Sequence, residues 1–218
     1  SQTVKIQQRH VIEVTNNFGD TREGSFGWAV QQANQLGAKN ITSEIRFKES
    51  MTIQSENGYK LTHGDIKINT YDSKNISIKR TSNGSAFTIG EYKYANKHDF
   101  SNQPDLQVEA SNINVFNTTA KGQDAEKNGG GGGGYGTGAG ILHYNGHLRW
   151  SDSVFQGNKV EGGHGAKIAS SGEDPSWYDK QWSHGHNKAK AGNPGLRGGG
   201  INDRNHSFGN GTVDGGAP

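Results

Sequence analysis

The chain has no cysteine, one methionine and four prolines in 218 residues. Without cysteine there is no disulfide framework and no thiolate metal site. Hydrophobic residues make up only 29%, where a conventional α/β enzyme carries about 45–50%. A chain this poor in apolar side chains cannot fill a thick core. It uses a thin one, or leaves much of itself uncovered. No apolar run approaches the ~18 residues of a membrane-spanning helix, so no membrane insertion is expected. An excess of one charge is missing too, because 23 basic residues face 21 acidic ones. No polybasic footprint marks nucleic acid or an anionic membrane as a partner. The length suits one domain or two small ones.

Glycine is what the chain has in quantity, and it is unevenly spread. Nine of the 34 glycines precede Asn128, and 25 fall between Gly129 and Pro218, including the run Gly129–Gly134. No apolar h-region opens the sequence, so any signal peptide is expected to have been removed or never present. The last residues, Val213-Asp214-Gly215-Gly216-Ala217-Pro218, do not read as a domain end. The chain is therefore expected to be part of a longer polypeptide.

Near the start, Val11-Ile12-Glu13-Val14 is apolar and β-branched and predicts a strand. A polar turn follows. Then Phe26, Ala29, Val30 and Ala33 recur at i, i+3, i+4 and i+7, which is one face of a helix. Ser25 suits its N-cap and Gly37 its C-terminal stop. A lone amphipathic helix ahead of a β region is expected to cover a sheet edge or an open core. Trp28 is assigned to this cap.

After the helix, apolar residues recur in pairs with one residue between. The pairs are Ile45 and Phe47, Met51 and Ile53, Ile66 and Ile68, Ile76 and Ile78, and Phe87 and Ile89. Each predicts a strand of about five residues with one face inward. Short strands with two inward residues suit stacked rungs better than an ordinary sandwich, which is the alternative. Asn112–Asn117 aligns with Ser151–Gln156, 39 residues later. Ile141–Tyr144, Asn145-Gly146 and His147–Trp150 read as strand, turn, strand, with Trp150 on a rung.

The stretch Val14-Thr15-Asn16, Asp20, Gly24-Ser25-Phe26-Gly27-Trp28-Ala29-Val30, Ala33-Asn34 and Ile45-Arg46-Phe47 resembles the N-terminal signature of bacterial right-handed parallel β-helix surface proteins. Phe26 stands for the family's usual Leu and Gly27 for its usual Arg. The later half resembles polymorphic outer-membrane adhesins. Gly138-Ala139-Gly140-Ile141 and Gly198-Gly199-Gly200-Ile201 match their G-G-A-I tetrapeptide, and Phe155-Gln156-Gly157-Asn158 matches F-x-x-N; Phe116-Asn117-Thr118-Thr119 lacks the Asn. The resemblance implies an all-β fold, a right-handed parallel β-helix (solenoid) with an N-terminal amphipathic helix cap and long glycine-rich loops. Physically, small residues before a strand permit close backbone approach at a corner. The Asn of F-x-x-N can hydrogen-bond backbone groups or form a ladder.

Candidate chemistry is sparse. His184 and His186, with His164, Asp174 and Asp179 nearby in sequence, suggest a metal site only if a rigid frame makes them converge; no metal ligand is assigned. No cofactor is predicted, and calcium stays open although the nonapeptide calcium repeat is absent. No phosphate loop is present. Glu44, Arg46, Lys48 and Glu49 read as a solvated strand face, without paired carboxylates in register. Trp177, Tyr178 and Trp182 cluster inside the glycine-rich region. They read first as a local mini-core anchoring a loop, and second as the candidate ligand site, stacking on sugar faces or anchoring a partner.

The expected organisation is a cap over 1–47, rungs over 48–161 with a glycine-rich insertion at 122–140, and glycine-rich loops with further rungs over 162–218. Ordered loops rank ahead of a disordered tail or packed polyproline strands. The expected role is the N-terminal part of a secreted or surface-displayed, autotransporter-like bacterial adhesin that binds a surface glycan or a host-cell protein. A polysaccharide-acting enzyme and a purely structural rod are the alternatives, with the weight against an enzyme.

Overall fold

The structure, a computed structural model, describes residues 8–70, 74–92, 103–124, 136 and 138–164. In chain order the elements are β1 (His10–Val14), α1 (Phe26–Gly37), β2 (Ser43–Phe47), β3 (Met51–Ser55), β4 (Tyr59–Leu61) and β5 (Gly64–Thr70). Next come β6 (Ile76–Arg80), β7 (Phe87–Ile89), β8 (Leu106–Ser111), β9 (Ile113–Phe116) and β10 (Thr119–Lys121). The last four are β11 (Ile141–His143), β12 (His147–Ser151), β13 (Phe155–Gln156) and β14 (Lys159–Glu161). All strand pairings among these residues are parallel.

The chain divides into two units. One comprises Ser1–Ser82, Ala86–Thr118 and Gly140–Asn158; the other comprises Asn83–Ser85, Thr119–Ala139 and Lys159–Pro218. The first holds three sheets, ordered β1-β2-β5-β8-β12, β3-β6-β9-β13 and β4-β7-β11. The chain visits them in turn. It passes through β2, β3 and β4, then repeats the order with β5, β6 and β7, and again with β8, β9 and β11. In the second unit, β10 pairs with β14, and the Asn83 amide bonds both the N–H and the C=O of Lys121.

The spaced apolar pairs become the core of the first unit. Ile12, Ile45, Ile68, Ala110 and Trp150 stand in register across the first sheet. The small Ala110 lies beside the large Trp150, which keeps the column close-packed. Ile53, Ile78, Val115 and Phe155 form the equivalent column in the second sheet. Tyr59, Phe87 and Ile141 form it in the third. Tyr59–Leu61 and Leu106–Ser111 are strands outside the five pairs named from the sequence.

Helix α1 closes one end of this core. Ser25 caps it, its Oγ accepting from the Trp28 N–H at 3.2 Å. Phe26, Ala29, Val30 and Ala33 are buried, as the periodicity predicts. The predicted covering of an edge is met by Asn34. Its side chain donates to Lys60 O and accepts from Thr62 N, both at 2.8 Å, satisfying the outer backbone of β4. β4 is the terminal strand of its sheet, where open backbone groups need such a partner.

Three sequence expectations are corrected. Gly37 is not the left-handed stop: Ala38 caps the helix with φ −62°, and Asn40 takes the positive φ of 59°. Gly37 is instead required because its backbone lies against His63 and Gly64. The strand, turn, strand reading of Ile141–Trp150 holds, with β11 and β12 entering different sheets; what is corrected is the turn, where both residues were expected to suit positive φ. Only Gly146 takes positive φ there, and Asn145 turns inward to accept the Glu91 N–H at 2.8 Å. Finally, Phe155 pairs with Val115 rather than with Phe116, so the repeat is 40 residues. Positive-φ corners fix that spacing. Asn112 and Asp152 share one such corner position, and Asn117 and Gly157 share the next. Asn158 of the F-x-x-N motif bonds backbone as expected, accepting from Thr118 N at 3.1 Å and donating to Val115 O at 2.9 Å.

Candidate functional site

Strand periodicity puts alternate residues of the first sheet on its outward face. Parallel register then lines up Glu44, Lys67, Glu109 and Arg149 across four strands. The signs alternate at the ~4.8 Å strand spacing, which is a stabilising cross-strand pattern. Arg46 grips Glu44 in two-point fashion, Nε to Oε1 at 2.7 Å and Nη2 to Oε2 at 2.8 Å. Arg9 pairs with Asp65 at 2.7 Å, and Lys48 with Glu13 at 2.7 Å. The Arg46 guanidinium, against some opposing desolvation, holds the Glu44 carboxyl below its ordinary pKa, with Lys67 adding to the effect. A glycosidic general acid needs the opposite shift.

The sign of that shift makes a prediction. A depressed carboxyl pKa contributes stability that is present above the unfolded value and lost as pH falls through the folded one. Glu44→Gln is expected to destabilise the chain at neutral pH. The gap between variant and parent should close as urea melts are repeated down to about pH 3. A gap independent of pH would show that the pair carries no such linkage.

The second feature is an open cleft of about 980 Å³ between β1 and α1. β1 contributes His10, Val11, Ile12 and Glu13, and the helix contributes Trp28, Gln32 and Leu36. Thr15, Glu23 and Gly24 close one end, where Gly24 O accepts the N–H of both Thr15 and Asn16. β1 is a terminal strand of the first sheet. Its parallel ladder to β2 uses His10, Ile12 and Val14, since His10 N donates to Thr42 O and Val14 O accepts from Lys48 N. Alternation then turns the N–H and C=O of Val11 away from β2, along the open edge. Val11 is also 38% exposed. Around it, the Trp28 indole N–H, the Gln32 amide and the Glu23 carboxylate make no hydrogen bond or ion pair with the described residues. Two neighbouring groups are paired, Asp20 with Arg22 and the Asn16 amide with Glu23 O.

Trp177, Tyr178 and Trp182 lie outside the described residues, as do His184, His186, Asp174 and Asp179. His164 is described, and its backbone N–H donates to Asp124 Oδ1 at 2.7 Å. Among the described residues no three His, Asp or Glu side chains group to hold a metal ion. Trp28 lies on α1, partly buried against the core. Trp150 lies on β12 and donates its indole N–H to Ile113 O at 3.0 Å. Sequence reasoning placed nothing in the β1–α1 cleft. The available signal was a tryptophan off the Phe26–Ala29–Val30–Ala33 face, next to a short apolar strand.

No family model, no curated protein and no solved structure matches the chain.

Proposed function

We propose that the three sheets wind as a right-handed parallel β-helix closed by α1, and that the chain is the N-terminal part of a secreted or surface-displayed bacterial adhesin. The observation that carries this reading is the contrast between a constant scaffold and growing connections. The third sheet returns to the first through residues 62–63 on one pass and through 90–105 on the next. Residues 122–140 separate β10 from β11. Regular parallel strands with lengthening connections suit display, in which a stiff frame holds binding loops. The outward face of the first sheet supports the same reading, because Glu44 is held as a paired, ionised carboxylate. The ligand of this reading is a surface glycan or a host-cell protein, met by the later loops with Trp177, Tyr178 and Trp182.

The test is a glycan array and a polysaccharide-depolymerisation screen on the full chain. Binding should fall at least about tenfold in Trp177→Ala and Trp182→Ala, the loss typical of an aromatic anchor. Release of product from any polymer would replace this reading with the enzymatic one.

A further inference from the structure

We propose that the open edge of β1 is a strand-addition site for an extended peptide of another protein. That peptide carries apolar side chains at alternate positions and one cationic side chain. The proposal goes beyond display by the later loops and uses different residues.

The backbone sets the mode of binding. The ladder to β2 is carried by His10, Ile12 and Val14, so the N–H and C=O of Val11 lie in the plane of the sheet on the side away from β2, and no described strand pairs with that edge. A peptide lying beside β1 at the ~4.8 Å strand spacing would satisfy both groups and extend the first sheet by one strand. The cleft limits its length. Beyond Val14 the edge is closed by the bonds of Thr15 and Asn16 to Gly24 O. The added segment therefore spans about five residues, roughly 17 Å.

The side chains set the chemistry. Ile12, Trp28 and Leu36 give the cleft an apolar floor, which suits side chains spaced two apart on an extended strand. At the closed end stands the Glu23 carboxylate, which has no ion-pair partner among the described residues. A lysine or arginine there would complement it. The Gln32 amide and the Trp28 indole N–H are spare polar groups that fix register and direction. A saccharide would use the aromatic and polar groups but would leave the in-plane pair on Val11 without a matching ladder.

The probe is a synthetic peptide of alternating valine and threonine with one lysine, titrated against the full chain. Its control is the same peptide N-methylated along one edge. The unmodified peptide should bind and protect the Val11 amide from hydrogen exchange, and the N-methylated one should not. Val11→Pro removes the outward N–H but leaves the β2 ladder, carried by His10, Ile12 and Val14, intact. This variant should melt like the parent and bind at least about tenfold more weakly. Glu23→Gln should remove most of the salt dependence of binding. Truncation of residues 1–7 should leave affinity unchanged.

Equal binding by the N-methylated peptide, or by a normally folded Val11→Pro variant, would overturn the proposal. So would failure of the peptide to bind at all. Tighter binding after truncation would make the chain's own N-terminal segment the occupant. Self-association lost in Val11→Pro would make it a second copy, and displacement of the peptide by neutral oligosaccharides would make it a sugar. Each of these also overturns the proposal. Trp177→Ala and Trp182→Ala change none of the residues that line this cleft, and Val11→Pro and Glu23→Gln change none of the proposed loop residues, so loss of loop binding and loss of edge binding are read on separate variants.

Discussion

Phe26→Ala is expected to cost the larger unit about 3–5 kcal/mol, the range for deleting a fully buried phenylalanine. Phe26 opens α1 and is completely buried. Its ring centroid lies 5.1 Å from Phe47, 4.5 Å from Tyr59 and 6.0 Å from Phe87. Those three residues belong to the first sheet and to two successive strands of the third. Truncation therefore opens a cavity bounded by two sheets and the helix, and no neighbour is free to fill it. Domains of this size are stable by about 5–15 kcal/mol, so such a loss takes a large share of the total. Urea denaturation followed by near-UV circular dichroism checks it. Phe26→Leu, which keeps most of the volume, should cost about 1.5 kcal/mol or less. A loss below about 1 kcal/mol for the alanine variant would show that α1 is not part of the cooperative core.

The same contacts continue beyond the helix. Tyr59 meets Phe87 at 5.6 Å, Phe87 meets Trp150 at 4.8 Å, and Trp150 meets Phe155 at 5.6 Å. A line of aromatic rings thus runs from Phe47 beneath the helix to Phe155, which is partly exposed. Burial along this line pushes the Tyr59 hydroxyl up to about 12. The low hydrophobic content is sufficient because the thin core is filled by the inward Ile, Leu and Val residues of short strands, with this line of large rings among them.

Much of this was legible in sequence, and the failures have physical causes. The five spaced pairs, the helix face and the Ser25 cap are local patterns, and each landed where expected. β4 escaped notice because it is three residues long and the first of its two inward residues, Tyr59 and Leu61, reads as polar between turn residues. β8 carries Leu106 and Val108, an apolar pair that fits the same pattern, so it was legible; only the small inward Ala110 needs Trp150 on the paired strand to make sense. The 39-residue alignment matched side-chain types, whereas the true spacing is set by positive-φ corners such as Asn112 and Asp152. A slip of one residue exchanges inward and outward faces, so this error was not small. For the β1–α1 cleft the sequence offers only Trp28 off the buried face of the helix, which does not place the cleft. It depends on which side of β1 the first partner strand takes. The aromatic residues proposed for ligand binding, Trp177, Tyr178 and Trp182, lie outside the described residues.

Gly64→Ala is the second large effect, expected to cost about 2–5 kcal/mol. Two costs combine there. The residue sits at φ +87°, where a side chain adds roughly 1–2 kcal/mol. Its new Cβ would also lie 2.4 Å from the Cα of Gly37, a collision between two backbones that no rotamer can relieve. Overpacking of this kind costs about 1–3 kcal/mol. The site matters because residues 62–63 are the whole connection from β4 to β5, and Gly64 N donates to Asp105 O at 2.9 Å as the next strand begins. The chain can turn this tightly only while the helix end lies against it. Gly37→Ala separates the two costs. Its backbone is helical, where alanine is favoured by about 1 kcal/mol, but its Cβ would lie 2.2 Å from His63 O. It should therefore destabilise less than Gly64→Ala. The double variant should cost less than the sum of the two, because one displacement of the helix end relieves both collisions. Thermal melts of the three variants decide it. Strict additivity would mean that the two glycines do not share a contact, and a Gly64→Ala variant within about 0.5 kcal/mol of the parent would mean that this corner can open without cost.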